Sequence, residues 1–257
     1  MSNVGTKAAV MAHMVACYPN YNASVEVAHA LADAGAGFLE IQFPFSDPTA
    51  DGPVIQAACT KALSSGFTVD EGFRLVREIA EKIDVPLFIM TYASIVYARG
   101  VKEFVQAAKE AGARGLIVPD LPPDYDEGLY GHGKQAGIAV VPVLVPTARE
   151  ERIETVLSAK PEYLYAALRS GITGTKTTLG PENLDFLDRL RESGARVMGG
   201  FGIQTREQVA ELSPHVDTVI IGSTFVRAIG KALAGGQGGT LYDALYAVAR
   251  DLIGQGD

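Results

Sequence analysis

Short apolar runs alternate with longer amphipathic stretches along the whole chain. The apolar runs predict β-strands at residues 9–16, 38–41, 86–90, 115–118, 139–143, 163–166, 196–198 and 218–221. These runs are almost continuously apolar, which is typical of parallel strands that are buried on both faces of a sheet. The amphipathic stretches predict helices at residues 24–34, 69–82, 101–111, 150–159, 181–192, 205–212 and 240–252.

Eight strand–helix units of this kind fit a closed barrel better than an open doubly wound sheet. The chain has 257 residues, and barrels of this type commonly occupy about 250 residues as one unit. No long linker interrupts the alternation, since the glycine-rich stretch at residues 235–239 is short. The sequence therefore predicts an α/β fold, a single (β/α)8 TIM barrel with parallel strands, as one catalytic domain over residues 1–257.

Charge and composition narrow the class of protein. The chain has 30 acidic and 22 basic residues and a net charge of −8, which argues against nucleic acid and anionic membrane surfaces as partners. The longest apolar run is too short to span a bilayer, and we find no signal-peptide pattern, so we expect a cytoplasmic protein.

Cys17 and Cys59 form no CxxC pair and are expected to be small buried hydrophobic residues. The four histidines match no metal-ligand spacing, and no metal is expected.

Two carboxylates mark the second strand and the loop that follows it. Barrel active sites lie at the carboxyl ends of the strands. Glu40 lies within the strand itself, where an inward carboxylate is costly unless it is paired or functional, and Asp51 follows in a proline-rich loop. Different burial could divide acid and base roles between them. The alternative is that Glu40 is a hydrogen-bonded strand-end residue and Asp51 caps a helix. The spacing alone supports both interpretations equally.

Glycines follow the seventh and eighth strands, at residues 199–203 and 221–224. Barrels often bind a phosphate at this corner with loop amides and the start of a short extra helix. Ser223 could add a hydroxyl donor or cap that helix. Two ordinary strand-ending turns are the alternative, but phosphate binding explains both glycine clusters together. The Gly- and Thr-rich segment at residues 165–176, which runs on to Pro181, is long for such a loop and is expected to be a lid that closes over substrate.

The motifs together resemble the tryptophan synthase alpha chain family over nearly the whole sequence. The most specific is the Pro-Phe-Ser-Asp-Pro run at residues 44–48 with the Ala-Asp-Gly-Pro run at residues 50–53. Further matches are residues 169–174 (Arg-Ser-Gly-Ile-Thr-Gly) and 200–203 (Gly-Phe-Gly-Ile), with Tyr92 and residues 120–122. The resemblance implies cleavage of indole-3-glycerol phosphate to indole and glyceraldehyde 3-phosphate by a retro-aldol reaction.

The resemblance also implies roles for individual positions. Glu40 matches the family's catalytic glutamate and Asp51 its catalytic aspartate. Positions that match substrate-binding residues are Tyr165, Tyr92, Thr173 and His13, and those that match phosphate-binding residues are Gly174, Gly202, Gly222 and Ser223.

In the family the barrel pairs with a beta chain in an alpha2-beta2 complex, and the resemblance implies the same here. Pro44 and Asp47 match the loop that meets the beta chain. Pyridoxal phosphate is expected only in that partner, and no cofactor is expected in this chain.

Four positions depart from the family pattern. His13 stands where the family has an aromatic residue that lines the indole pocket, and Cys17 and Gln42 each replace a glycine. Ser94 replaces an asparagine that faces the beta chain in many members. A polar His13 either weakens the contact with indole or is accommodated by stacking or a local hydrogen bond.

These departures keep other functions open. His13 and Gln42 raise the alternative of a weakly active barrel that serves mainly as an allosteric partner of a beta chain. Ser94 raises the alternative of a free-standing indole-3-glycerol-phosphate lyase. Another phosphate-binding barrel with a different substrate explains the Pro-Phe-Ser-Asp-Pro run least well.

Overall fold

The fold is described from a computed structural model, which covers residues 8–168, 180–200, 202–235 and 239–254. Within these residues, all strands belong to one parallel sheet. The nine strands are β1 (Ala9–Val15), β2 (Phe38–Gln42), β3 (Leu87–Met90), β4 (Gly115–Ile117), β5 (Ala139–Val141), β6 (Val143–Leu144), β7 (Tyr163–Ala166), β8 (Arg196–Gly199) and β9 (Thr218–Ile221).

The order of the strands shows that the sheet closes into a barrel. It runs β5-β4-β3-β2-β1-β9-β8-β7-β6, so β5 and β6 stand at opposite ends. Only Pro142 separates these two strands along the chain, and therefore they form one broken barrel strand. The predicted eight-stranded (β/α)8 barrel is confirmed, but the uninterrupted strand predicted at residues 139–143 is wrong. Pro142 has no N–H to donate to a neighbouring strand, although its carbonyl accepts a hydrogen bond from the Tyr165 N–H at 3.0 Å.

Helices surround the barrel. The described residues form α1 (Tyr21–Asp33), α2 (Pro53–Ser64), α3 (Val69–Lys82), α4 (Ala93–Arg99), α5 (Val101–Glu110), α6 (Leu129–Ala136), α7 (Glu150–Ser158), α8 (Pro181–Glu192), α9 (Arg206–Leu212), α10 (Ser223–Ala234) and α11 (Leu241–Ile253), with a 3₁₀ turn at Pro123–Tyr125. Side-chain hydrogen bonds cap the N-termini of several of these helices. The Thr68 side chain accepts from the Glu71 N–H, and Thr205 and Thr240 open capping boxes. The described part of the chain contains no helix long and apolar enough to cross a membrane.

The core has two layers, one inside the barrel and one between the barrel and the helices. The outer layer is the larger, and in it the strands' outward Ile, Leu and Val side chains pack on the helices. Large side chains fill the barrel interior, namely Met11, Phe88, Met90, Tyr92, Ile117, Val141, Tyr163, Met198 and Ile220. This filling closes the barrel below the carboxyl ends of the strands, which leaves that rim for a site.

Both cysteines are buried, as the sequence predicts, and burial raises the pKa of each thiol to about 12. Cys17 also adopts a φ of 58°, in the left-handed region that favours glycine. A side chain at such a position costs about 1–2 kcal/mol. The backbone thus explains why a glycine is suited to this position.

We expect Cys17→Gly to be more stable than Cys17→Ala by about 1 kcal/mol, since relief of the left-handed strain exceeds the extra chain entropy of glycine, about 0.5–1 kcal/mol. Urea unfolding of the two variants measures the difference. The same two substitutions at Cys59, within α2, are the matched control. At Cys59 we expect the alanine variant to be the more stable one, because alanine is more favourable than glycine within a helix by about 1 kcal/mol. Greater stability of alanine at both positions would contradict the strain at Cys17.

Candidate active site

His13 and Glu40 lie side by side at the carboxyl end of the barrel. They are direct partners in the parallel register of β1 and β2, so both side chains point to the same side of the sheet. Each is almost fully buried, with 5% and 3% of its surface exposed. Nδ1 of His13 lies 2.9 Å from Oε2 of Glu40. The buried carboxylate in β2 is therefore paired with a group that can carry a positive charge.

Asp51 is held by two donors that end on the same oxygen. Gln42 Nε2 donates to Oδ2 at 2.7 Å and the Tyr92 hydroxyl donates to Oδ2 at 2.8 Å. The main chain of Asp51 is fixed as well, by its N–H to the Pro48 carbonyl at 3.0 Å and by Gln56 Nε2 to its carbonyl at 2.8 Å. Both hydrogen bonds that the described side chains donate to the Asp51 carboxylate thus end on Oδ2. Oδ1 is the oxygen available to a ligand.

The alternative role for Asp51 as a helix cap is wrong. Helix α2 begins at Pro53, and its N-cap is Gly52, without a side-chain cap. Asp51 instead turns its carboxylate into the barrel mouth, where it is 4% exposed. The alternative for Glu40, a hydrogen-bonded residue near the end of its strand, describes its contact with His13 but leaves open what else the carboxylate does.

Burial and charge act on the ionisable groups in opposite directions. Burial by itself lowers the pKa of His13, but the Glu40 charge, the hydrogen bond to Glu40 and the Asp51 charge outweigh it, and the pKa is raised. Burial raises the pKa of Asp51, which His13 and the hydrogen bonds from Gln42 and Tyr92 only partly offset. Burial also raises the pKa of Tyr165 well above its ordinary range, so this phenol stays protonated. The site therefore combines two carboxylates, one imidazole and a neutral phenol.

A cavity that is partly open to solvent joins these groups. It brings together most of the sequence-predicted site residues, namely His13, Glu40, Asp51, Tyr165, Gly202, Gly222 and Ser223. Between them are apolar side chains that the sequence analysis did not single out, Ile55, Met90, Ile117, Val143 and Ile220. Such a cavity suits a flat apolar ring with a few polar attachments.

Three other predicted residues are placed differently or not at all. Tyr92 is 1% exposed and does not line the cavity, because it lies behind Asp51 and holds it. Thr173 and Gly174 lie outside the described residues, as does the lid predicted at residues 165–176 apart from residues 165–168. Their roles stay predictions.

Helix α10 begins at one end of the cavity. Gly222 is its N-cap and Ser223 its first residue, and the first turn has no acidic side chain. The first amides of a helix have no partner within it and attract anions. The Thr224 hydroxyl donates to the Ile203 carbonyl at 2.8 Å, which ties α10 to the loop after β8. In that loop Gly202 has a φ of 72°, a conformation suited to glycine. The corner is therefore shaped to accept an anion from backbone groups.

The loop after β2 presents a mixed surface. Asp47 is exposed and its carboxylate accepts from the Ser46 hydroxyl at 2.9 Å, whereas Pro44 is buried by its own chain. Ser94, at the start of α4, is exposed. The predicted partner role of Pro44 and Asp47 stays a prediction.

Across the described residues, no group of three or more His, Cys, Asp and Glu side chains is arranged to hold a metal ion.

The family assignment follows from comparison with known proteins. A family model described as tryptophan synthase alpha chain matches residues 2–249. The chain belongs to the tryptophan synthase alpha chain family. This is a family of enzymes of tryptophan biosynthesis. The tryptophan synthase alpha chain of Deinococcus radiodurans is 40% identical over 247 residues, 95% of this chain and 90% of that protein. That of Helicobacter hepaticus is 37% identical over 230 residues, 87% of this chain and 86% of that protein.

Solved structures of tryptophan synthase agree with the observed barrel. The structure of the tryptophan synthase A-subunit from Pyrococcus furiosus superposes with a TM-score of 0.86 at 28% identity, over 98% of this chain and 100% of that one. A Mycobacterium tuberculosis tryptophan synthase chain gives a TM-score of 0.86 at 29% identity, over 96% and 91% of the two chains. The fold predicted from the strand pattern is thereby confirmed at the level of the family.

Proposed function

We propose that this chain is the lyase of tryptophan synthesis that cleaves indole-3-glycerol phosphate to indole and glyceraldehyde 3-phosphate. One observation carries the proposal: a single cavity is lined by the carboxylates of Glu40 and Asp51 and by Gly222 and Ser223 at the start of α10. A substrate with an aromatic ring at one end and a phosphate at the other matches these two sets of groups and the apolar wall between them.

The cleavage moves one proton from an oxygen to a carbon. Glu40 protonates C3 of the indole ring, and the positive charge that develops on the ring nitrogen is stabilised as its N–H donates to Asp51 Oδ1. The hydroxyl on the carbon attached to C3 then gives its proton to the Glu40 carboxylate, and the carbon–carbon bond breaks. The bonding electrons return to the ring as the aldehyde forms. Groups with such roles typically contribute about two to four powers of ten in rate.

The phosphate binds at the corner formed by Gly202, Gly222 and Ser223. Backbone amides supply most of the attraction, helped by the partial positive charge of about one half at the start of α10. This arrangement suits a protein whose net charge of −8 would otherwise repel an anion. Tyr165, Thr173 and Gly174 complete the substrate site in the proposal. Holding the remote phosphate orients the ring between the two carboxylates.

We expect Gly222→Asp to raise KM for indole-3-glycerol phosphate at least about tenfold over Gly222→Asn, because only the aspartate repels the phosphate. A Cβ at Gly222 has room, since the nearest atom is His13 Cβ at 3.7 Å. Both variants place a favoured residue at the N-cap of α10, so they share any effect on stability. Steady-state kinetics of the pair measure the charge effect. Equal KM values in the two variants would contradict binding of the substrate phosphate at this corner.

The partner in the proposal is a tryptophan synthase beta chain, in an alpha2-beta2 complex. One of the similar structures is a tryptophan synthase complex from Pyrococcus furiosus, with a TM-score of 0.86. The loop with Pro44 and Asp47 forms part of the contact. Pyridoxal phosphate belongs to the partner, and this chain acts without a cofactor.

The proposal is tested by indole release from indole-3-glycerol phosphate, measured with and without the cognate beta chain. Release that rises strongly with the partner supports an alpha subunit of the ordinary kind. Fast release by the chain alone would support a free-standing lyase instead. Absence of release in both conditions would overturn the proposed activity.

A further inference from the structure

The pairing of His13 with Glu40 suggests a role for His13 in the reaction. Its Nδ1 is 2.9 Å from a carboxylate oxygen, while its Nε2 is buried without a hydrogen-bond partner among the described residues. The same side chain lines the cavity that also contains Glu40 and Asp51. A buried, unsatisfied ring nitrogen is uncommon in proteins and calls for an explanation. Both features place His13 beside the Glu40 carboxylate, in the wall of the same cavity.

Protonated His13 is the positive charge that balances the negative charges of Glu40 and Asp51. Glu40 faces it from β2 and Asp51 from the loop after β2, and both raise its pKa against the effect of burial. Tyr165 faces the same space from β7 and is protonated over the working range of pH. The described residues that line the cavity include neither Lys nor Arg. A proton bound in this cluster is therefore shared between the imidazole and a carboxylate.

We propose that His13 is a positioning residue of the cleavage reaction, which fixes the Glu40 carboxylate and shares with it the proton that the indole ring receives. The proposal rests on the proposed function. The pair holds one shared proton, either on Nδ1 of His13 or on Glu40. When Glu40 gives this proton to C3, it is left as a carboxylate, and the proton of the substrate hydroxyl then restores the pair. The protons balance without any other reactant.

The sharing also explains the unpartnered Nε2. Whether the shared proton is on Nδ1 or on Glu40, Nε2 retains its own hydrogen and is a donor. His13 lines the substrate cavity although the Nε2 atom itself is buried, and we expect an oxygen of the substrate to become its acceptor when substrate binds. A phenylalanine side chain at position 13 could supply neither the hydrogen bond nor the proton.

The test compares His13→Phe with His13→Asn in the complex with the beta chain. Asparagine places an N–H close to where Nδ1 donates, but it carries no proton that titrates. We expect kcat at pH 8 to fall about tenfold in both variants, with a smaller fall at pH 5, because both variants lack the imidazole beside Glu40 that shares the proton. The basic limb of the pH profile should move to lower pH by at least one unit. A smaller KM change in His13→Asn than in His13→Phe would show rescue of the positioning. A uniform fall of kcat across pH, with the limb unmoved, would overturn the proposal.

A titration by nuclear magnetic resonance separates this proposal from the proposed function. The His13 resonance is assigned by its absence in His13→Phe, and its midpoint is followed in the free chain. We expect a midpoint above the ordinary value of about 6.5 in the wild type and a fall of at least one unit in Glu40→Gln. A midpoint that Glu40→Gln leaves unchanged would overturn the shared proton. A shifted midpoint in a chain that releases no indole would contradict the cleavage reaction, and with it the positioning role of His13 in that reaction, while confirming the pair itself.

Discussion

Replacing Glu40 by glutamine is expected to lower kcat for indole release by about two to four orders of magnitude while the barrel stays folded. Glutamine keeps the shape of the side chain and can still accept a hydrogen bond from His13 Nδ1, which lies 2.9 Å from Oε2 in the wild type. It can neither give a proton to C3 nor take one from the hydroxyl. The loss should appear in kcat and kcat/KM together, because the missing interaction belongs to the transition state.

The matched control is Glu154→Gln, which removes the same charge from an exposed position on α7. It should leave kcat unchanged, so a general effect of net charge is ruled out. Circular dichroism and thermal unfolding check that Glu40→Gln is folded. A folded Glu40→Gln variant with kcat within about threefold of the wild type would exclude Glu40 as the proton-transfer group.

The strands could be predicted well because each is a short apolar run between polar turns. Seven of the eight predicted strands, such as residues 163–166 and 218–221, agree with observed strands to within a residue or so at each end. The exception is the fifth, where the apolar pattern continues through Pro142 although the hydrogen bonding does not. The hydrophobic pattern predicts which residues are buried, but it does not show that the proline within the run lacks an N–H for the strand pairing.

Three observed helices, α2, α4 and α6, are absent from the predicted set and a fourth, α10, is longer than predicted, each for a physical reason. The sequence of α2 (Pro53–Ser64) follows a proline-rich loop and contains small residues, so its amphipathic pattern is weak. The proline at its first turn was the signal that could have found it. Helix α4 has only seven residues, and α6 contains Gly131 and Gly133. Helix α10 was expected only as a short extra helix, and it extends over 12 residues.

The candidate site was only partly predictable. Glu40 and Asp51 stand out by position and by family motif, but their partners depend on register and loop path. His13 meets Glu40 because the two residues face each other across β1 and β2, and a one-residue shift would turn one of them outward. Gln42 was noticed as a departure from the family and not as a site residue. Its contact with Asp51 requires the loop to fold back over the end of β2, which no local pattern shows.

Replacing Asp51 by asparagine is expected to abolish activity and to stabilise the fold at neutral pH. The carbonyl oxygen of the introduced amide can take the place of Oδ2 and accept from Gln42 and Tyr92, which are 2.7 and 2.8 Å away in the wild type. The amide nitrogen then replaces Oδ1 and points an N–H at the indole N–H. We expect kcat to fall by about two to four orders of magnitude, since the developing positive charge loses its carboxylate.

The gain in stability follows from the direction of the pKa shift. Burial raises the pKa of Asp51 above that of the unfolded chain, so the native state binds its proton more tightly than the unfolded state does. The wild type is therefore penalised for ionising Asp51. The penalty is absent below the unfolded pKa of about 3.9, grows as pH rises toward the raised native pKa, and is complete above it. The free energy of unfolding of Asp51→Asn should exceed that of the wild type by an amount that widens over this window.

Urea unfolding of both proteins from pH 4 to pH 8 measures this difference. Asp185→Asn, on the exposed surface of α8, is the control that removes an equal charge without relieving burial. Its difference from the wild type should stay small and nearly constant with pH. A constant difference for Asp51→Asn as well would mean that Asp51 is not penalised by burial. Loss of activity together with the widening gap would instead show that the fold gives up stability to hold an ionised carboxylate in the apolar mouth of the barrel, where the ring nitrogen of the substrate would need it.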